Sequence, residues 1–364
     1  MREKILLLGG TGAIGVYLRG ELVRSGYEVV VSSRRRQISE PGVQFVIGDA
    51  KDCSFVERVI AEYAPDVIVD FMIYRTSEFT ERISFLLSKV KQYIFLSSYR
   101  VFNESVPLTE RSPRLLESIK DEEYLRSDEY GLSKARCENL LRTSGRVNWT
   151  IVRPCITYSK ERFQFGCLEA NTLCYRALRG MPVVIPKELL SKRTTMSWAG
   201  DVAKMIARLV LNEKAYGDDF NVVSSESHTW AEIGAIYNKA IGLTVKEVTI
   251  KDYLTICGEY QLRYDRMFDR VMDNSKILAV TGLRQDEFKT LELGLHNELS
   301  QNKSGLMQIK PNIPMNARID KMCGIAAIPH GTFADKLLYL QYRYSVVRLP
   351  IRVIRFLLRK VGKE

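Results

Sequence analysis

The passage that most constrains this chain is Lys4-Ile5-Leu6-Leu7-Leu8-Gly9-Gly10-Thr11-Gly12-Ala13-Ile14-Gly15. Four apolar residues in a row at 5–8 suit a central parallel strand covered on both faces, and helical patterning starts at Ala13. Gly10-x-Gly12-x-x-Gly15 has the spacing of a dinucleotide-binding turn. One glycine makes the bend, the next lets the backbone approach a pyrophosphate, and the third lets the helix pack closely on the strand. Unpaired amides and the positive end of the helix then face the phosphates.

The second strand, Val29-Val30-Val31-Ser32-Ser33, ends where an acidic residue would hold the adenosine ribose of NAD. The chain instead continues Arg34-Arg35-Arg36. Guanidinium groups offer charge and forked donors together and suit a 2′-phosphate, so NADP is predicted, with NAD as the alternative. A solvated basic loop is the competing explanation of the three arginines.

Strand and helix signals alternate through the first half. Val43–Ile47, Asp66–Phe71, Gln92–Ser97 and Trp149–Arg153 read as short strands, and 54–63 and 129–144 read as helices. Alternation of this kind implies a parallel sheet with helices on both faces, a Rossmann-type doubly wound α/β fold. Its ligands sit beyond the carboxyl ends of the strands. The expected organisation is a cofactor-binding domain over 1–160, a smaller substrate lobe over 161–304 interleaved with it, and a tail over 305–364.

A content of 46% hydrophobic and 27% charged residues in 364 indicates a folded soluble protein. The first apolar run is only a strand long, and no span of about 20 apolar residues occurs, so neither a secretory signal nor a transmembrane helix is expected. Seven cysteines without a Cys-x-x-Cys pair, and three histidines, argue against a metal site and a disulfide framework and fit a reducing cytoplasm. Cys155 and Cys167 read as buried small hydrophobes ahead of reactive thiols.

Tyr130-Gly131-Leu132-Ser133-Lys134 places a phenol and an ammonium one turn apart on a helical face. A free tyrosine titrates near pH ~10, and a neighbouring lysine charge favours its phenolate. Such a phenolate can take the proton of a substrate hydroxyl while a nicotinamide takes the hydride. The strand ending Leu96-Ser97-Ser98 brings hydroxyls to the same edge, where Ser98 can donate to the reacting oxygen.

In this order Gly9–Gly15, Gly48-Asp49, Ser97-Ser98-x-x-Val101-Phe102, Tyr130-x-x-x-Lys134, Val152-Arg153-Pro154 and Trp198-Ala199-Gly200-Asp201-Val202-Ala203 resemble an extended short-chain dehydrogenase/reductase of the NAD-dependent epimerase/dehydratase family, which modifies sugar nucleotides. The resemblance covers roughly residues 1–300. It implies Ser98, Tyr130 and Lys134 as catalytic residues, with Lys134 also holding the nicotinamide ribose. It implies cofactor contacts from Gly9, Gly10, Thr11, Gly12, Ala13, Ile14, Gly15, Ser33, Arg34, Arg35, Asp49 near the adenine, Ala50 and Pro154. Substrate contacts are expected at Ser98, Tyr99, Asn171 and Arg193, with Arg176 and Lys192 in the same region.

Family dehydratases carry an Asp-Glu pair directly after the catalytic Ser or Thr, whereas this chain has Tyr99-Arg100. Elimination of water needs an acid and a base beyond the tyrosine, so dehydration is disfavoured. The expected activity is epimerisation of a nucleotide sugar through a transient ketone, with an NADPH-dependent ketoreductase as the alternative. A cofactor-sensing or RNA-binding protein is the alternative outside enzymes. After the fourth strand the family usually has a His-x-Ala-Ala-like stretch, and here stands Asp70-Phe71-Met72-Ile73-Tyr74-Arg75, with Asp70 read as a buried hydrogen-bonded acid or a substrate contact.

Charge is uneven along the chain. Residues 305–364 carry 11 Lys or Arg against 3 Asp or Glu, so +8 of the net +11 falls there. From 349 onward, Arg352, Arg355, Arg359 and Lys363 align on one helical face, opposite Ile351, Ile354, Leu358 and Val361. A basic amphipathic helix of this kind suits an anionic bilayer, packing against the enzyme or a second subunit, or, least of the three, nucleic acid. Residues 345–364 are thus the candidate membrane contact of a cytoplasmic enzyme, peripheral at the inner face and feeding glycan assembly. A homodimer is the other partner considered, and no metal is expected.

Overall fold

The computed structural model describes residues 2–160, 162–328 and 331–344. It divides into two compact units, the first built from residues 1–159, 193–227 and 269–294. That unit holds a seven-stranded parallel sheet formed by β1 (Lys4–Leu8), β2 (Glu28–Ser33), β3 (Val43–Ile47), β4 (Val67–Asp70), β5 (Gln92–Leu96), β6 (Trp149–Arg153) and the strand Asp218–Asn221. Their order across the sheet is Asp218–Asn221, β6, β5, β4, β1, β2, β3. The order reverses between β1 and β4, so the crevice for a ligand opens beyond Leu8 and Asp70.

Period-two alternation along β1 assigns the two faces. Ile5 and Leu7 pack with Val29 and Val31 against Ile14, Leu18 and Leu22 of α1 (Ala13–Arg24) and against Val202, Met205 and Ile206 of the helix Ala199–Leu209. Leu6 and Leu8 face the other way, onto α2 (Cys53–Tyr63) and α3 (Thr76–Lys89) through Phe55, Val59, Phe79 and Ile83. Two short helices, α4 (Leu115–Ser118) and α5 (Glu122–Arg126), precede α6 (Tyr130–Arg142), whose Cys137 and Leu141 join this second layer. The doubly wound architecture read from the sequence is therefore the one observed.

The second unit comprises residues 160–192 and 228–268 and the described residues from Leu295 onward. Val183–Pro186 pairs in parallel with Val245–Val248. The helices Ile313–Cys323 and Phe333–Arg343 belong to this unit, where fully buried Arg176 and Asp320 form an ion pair at 2.8 Å and Tyr339 Oη donates to Asp320 Oδ2 at 2.7 Å. One expectation is corrected here: Cys167 and Cys257 form a disulfide. Cysteine spacing missed it because the partners lie 90 residues apart and are joined only by folding. The amphipathic stretch over 349–364 lies outside the described residues. Among the described residues no helix is long and apolar enough to cross a membrane.

Candidate active site

The glycine turn follows β1 at the reversal of strand order. Gly9 adopts a left-handed φ of 75°, and its amide donates to Ser32 Oγ at 2.9 Å, so the end of β2 supports the bend. A Cβ on Gly15 would run into the Gly10 main chain, and one on Gly10 would lie 2.6 Å from Leu7 Cβ. Gly12 is different. It is exposed, and a Cβ there would meet nothing within 4 Å. It forms the N-cap of α1 without a side-chain cap, and the first turn of that helix carries no acid. A positive helix end without a side-chain cap, beside a glycine with open space over it, fits a pyrophosphate. Ile14 serves the core, and Thr11 and Ala13 are half-buried at the turn.

The adenosine side is defined by the ends of β2 and β3. Ser33 Oγ accepts from Arg35 N at 3.2 Å and from Gln37 Nε2 at 3.0 Å, which bends the loop. Arg34, Arg35 and Arg36 are exposed along it. Asp49 is exposed and caps the Lys51 amide at 3.0 Å. Ala50 is buried, and Arg82 donates to its carbonyl at 3.1 Å and to that of Lys51 at 2.7 Å.

On the other side of the crevice, Lys134 is buried, and its ammonium donates to the carbonyls of Met72 (3.0 Å) and Leu96 (2.7 Å). These carbonyls lie just beyond β4 and at the end of β5, so two strand ends aim one cation. Tyr130, half-buried, opens α6 one turn earlier, after the Glu129 N-cap. Ser98 follows β5, and its Oγ accepts from Arg100 N at 3.2 Å. Arg100 pairs with Glu129 at 2.5 Å and lies over the Tyr130 ring at 5.2 Å. The end of β5 and the turn after it thus meet both residues of the helix: Leu96 accepts from Lys134, and Arg100, bonded to Ser98, lies over Tyr130. Gly131 permits the approach, because a Cβ there would stand 2.6 Å from the Arg100 carbonyl oxygen.

Beneath this group lies a buried ion network absent from the sequence-based expectations. Ser97 Oγ donates to Glu138 Oε1 at 2.6 Å, and Arg153 holds both oxygens of Glu138 at 2.7 Å. Arg153 also pairs with Asp219 at 2.7 Å, and Arg114 reaches Glu138 at 3.0 Å. Burial alone would raise the Glu138 carboxyl, but the Arg153 guanidinium, the Ser97 hydroxyl and Arg114 together outweigh it and hold the group below its usual range. Glu138 stands four residues after Lys134, a spacing that was legible; Asp219 had no local signal. Asp70 resolves as the buried hydrogen-bonded acid, accepting from Tyr74 and Tyr93. Burial raises its carboxyl above the usual range despite those bonds and the Lys134 charge.

The residues expected at the substrate each make contacts within their own unit. Tyr99 is 4% exposed, with its amide on the Pro154 carbonyl at 3.1 Å and its ring 5.7 Å from the Arg270 guanidinium. Arg193, in the first unit, donates through Nε to Ser227 Oγ at 3.3 Å. Asn171, in the second unit, is half-buried and its carbonyl accepts from Asn312 N at 3.2 Å. Arg176 is spent inside that unit on Asp320, the Pro182 carbonyl and Asn316.

Residues 5–222, well over half of the chain, match the model of the NAD dependent epimerase/dehydratase family. The chain belongs to this family. A chloroplast stem-loop binding protein of 41 kDa from Arabidopsis thaliana is 29% identical over 265 residues, covering 68% of this chain and 65% of the relative. A UDP-glucose 4-epimerase from Neisseria gonorrhoeae is 31% identical over 78 residues, 18% of this chain and 23% of that one. The chain thus spans less than two thirds of either relative. The UDP-glucose 4-epimerase of Thermus thermophilus, solved in complex with NAD, superposes with a TM-score of 0.63 at 21% identity over 82% of this chain and 99% of that one, which establishes the shared fold. For this member of the epimerase/dehydratase family, the resemblance read from Gly9–Gly15, Ser98 and Tyr130-x-x-x-Lys134 is confirmed at the level of family and fold.

Proposed function

We propose that the chain is an NAD(P)-dependent epimerase that inverts one hydroxyl-bearing carbon of a nucleotide sugar. The observation that carries this reading is the placement of Lys134 on the carbonyls of Met72 and Leu96, one helical turn from Tyr130 and beside the turn that bears Ser98. The Gly12 amide region would hold the pyrophosphate and the Lys134 ammonium the nicotinamide ribose. When bound, the nicotinamide supplies reversible hydride acceptance at the sugar carbon. Ser98 donates a hydrogen bond to the reacting oxygen, and Tyr130 removes the hydroxyl proton and later returns it. Lys134 supplies the positive charge that favours the deprotonated phenol. Tyr99-Arg100 puts no acid where dehydratases carry their Asp-Glu pair, which supports redox inversion over elimination.

The exposed Arg34 and Arg35 support NADP over NAD, although the superposed Thermus enzyme is a complex with NAD. Incubation with UDP-, dTDP-, GDP- and ADP-sugars and either cofactor, followed by chromatography and absorbance of the reduced nicotinamide, separates the readings. An isomer formed without net cofactor turnover is the expected result. Stoichiometric loss of NADPH establishes the ketoreductase instead, and no turnover of any sugar rejects both. Tyr130→Phe should abolish turnover while cofactor binding persists.

The name of the Arabidopsis relative and the net charge of +11 favour a second reading, binding of RNA stem-loops. A mobility-shift titration with a stem-loop RNA at about 150 mM salt tests it; affinity no tighter than the non-specific range, a Kd of about 1 μM or weaker, would retire it.

A further inference from the structure

We propose that Asp70 is a positioning residue for Lys134, acting through the main chain of Met72; the inference rests on the role given to Lys134 above. Asp70 ends β4 at the point where strand order reverses, in register with Leu8 on one side and Phe95 on the other. Its neighbours along the strand, Val67, Ile68 and Val69, are all buried and apolar. An aliphatic residue would fill the same space, whereas a buried carboxylate is costly unless its oxygens are hydrogen-bonded. Here both are. Oδ1 accepts the Met72 amide at 2.8 Å, and Oδ2 accepts the hydroxyls of Tyr74 at 2.9 Å and Tyr93 at 2.7 Å.

The bond to the Met72 amide turns the chain as it leaves β4, and the Met72 carbonyl is then presented to the Lys134 ammonium. The second carbonyl on that ammonium, from Leu96, is fixed by β5, and the Phe95 ring lies 4.5 Å below. Phe95 and Leu96 belong to β5, whereas Met72 lies beyond the end of β4, and Asp70 holds its amide. The same acid reaches the adenosine side. Tyr74 carries the Arg82 guanidinium over its ring at 4.4 Å, and Arg82 clamps the Ala50 and Lys51 carbonyls. The Met72 sulfur lies where a Cβ on Gly9 would come within 2.8 Å of it, so Met72 also abuts the glycine turn.

Reductive methylation of the full-length protein with formaldehyde and a borohydride, read lysine by lysine by peptide mass spectrometry, tests this without requiring a substrate. In Asp70→Ala, Lys134 should be modified about fivefold faster than in the wild type, while exposed Lys91 is unchanged, as expected for a local opening. Asp70→Asn, which keeps an oxygen for the Met72 amide, should restore most of the protection. With an accepted sugar, Asp70→Ala should lower kcat about tenfold with little change in the sugar KM, as expected for a misplaced catalytic group. Unchanged protection of Lys134 in a folded Asp70→Ala overturns the proposal, whatever the activity. Should that variant not fold, the Tyr74→Phe/Tyr93→Phe double variant takes the same readout: faster labelling of Lys134 supports the proposal and unchanged labelling overturns it. If no sugar is turned over but Lys134 labelling responds as stated, the proposed reaction fails and the positioning role of Asp70 stands.

Discussion

Gly12 and Gly15 share one turn and answer to different constraints. The third glycine is required by the protein's own backbone, since a Cβ there would collide with Gly10, whereas at Gly12 the added atom would enter open space. Gly15→Ala should therefore destabilise the fold by about 1–3 kcal/mol in a denaturant titration. Gly12→Ala should unfold at the wild-type midpoint yet bind dinucleotide at least about tenfold more weakly by fluorescence, because only the bound phosphates compete for that space. Gly131 offers a second contrast. Ala is the better helix former by about 1 kcal/mol, but its Cβ would stand 2.6 Å from the Arg100 carbonyl oxygen. Gly131→Ala should thus lift the start of α6, carry Tyr130 with it, and cost about tenfold or more in kcat in the isomerisation assay, with little change in dinucleotide affinity. The Tyr130–Lys134 pair was visible in the sequence because helical spacing is local. The bond of Tyr93 to Asp70 was not, since Tyr93 lies 23 residues away and meets it from the neighbouring strand.

Between elements, charge decides how stability depends on pH. Glu138 on α6, Arg153 on β6 and Asp219 on the neighbouring strand are buried together; burial would raise both carboxyls, but Arg153 with Ser97 and Arg114 holds Glu138, and Arg153 with Arg142 and Lys276 holds Asp219, below the usual range. A carboxyl with a depressed folded-state value adds stability that is complete above the unfolded value, near pH ~4, and is lost as pH falls through the folded one. Glu138→Gln should cost about 3 kcal/mol at neutral pH by leaving Arg153 under-compensated. Its deficit should shrink as pH falls below ~4 in equilibrium unfolding. Asp201, in the first turn of the helix Ala199–Leu209, has the opposite sign: burial pushes its carboxyl up to about 6 although it accepts the Lys289 amide at 2.9 Å. Its ionised form is therefore penalised in the fold above pH ~6. Asp201→Asn retains an acceptor for that amide and should stabilise the protein by about 1–3 kcal/mol at pH ~8, the gain vanishing below pH ~4. Strand and helix positions were legible throughout this unit because apolar runs and turns repeat regularly. The ion network was not, since a buried arginine and a surface one look alike in sequence.

At the scale of the molecule, the charge concentrated after residue 305 calls for a test on the intact chain. Deleting residues 345–364 should release the protein from vesicles containing anionic lipid in a flotation assay at about 0.1 M salt, with no change for neutral vesicles. Equal flotation of both forms would retire the tail as a membrane contact. Alternation of strands and helices announced the doubly wound sheet, but neither the pairing of Cys167 with Cys257 nor the folding of residues 313–343 into the second unit had a local signature. The strand Asp218–Asn221 carries a further consequence. It pairs with β6 and brings Asp219 to Arg153, yet it is synthesised only after residues 160–192 of the other unit have emerged. During translation β6 must wait as a bare edge, with Arg153 lacking one of its two buried counter-charges, so the nascent chain cannot complete its first unit in the order in which it is made.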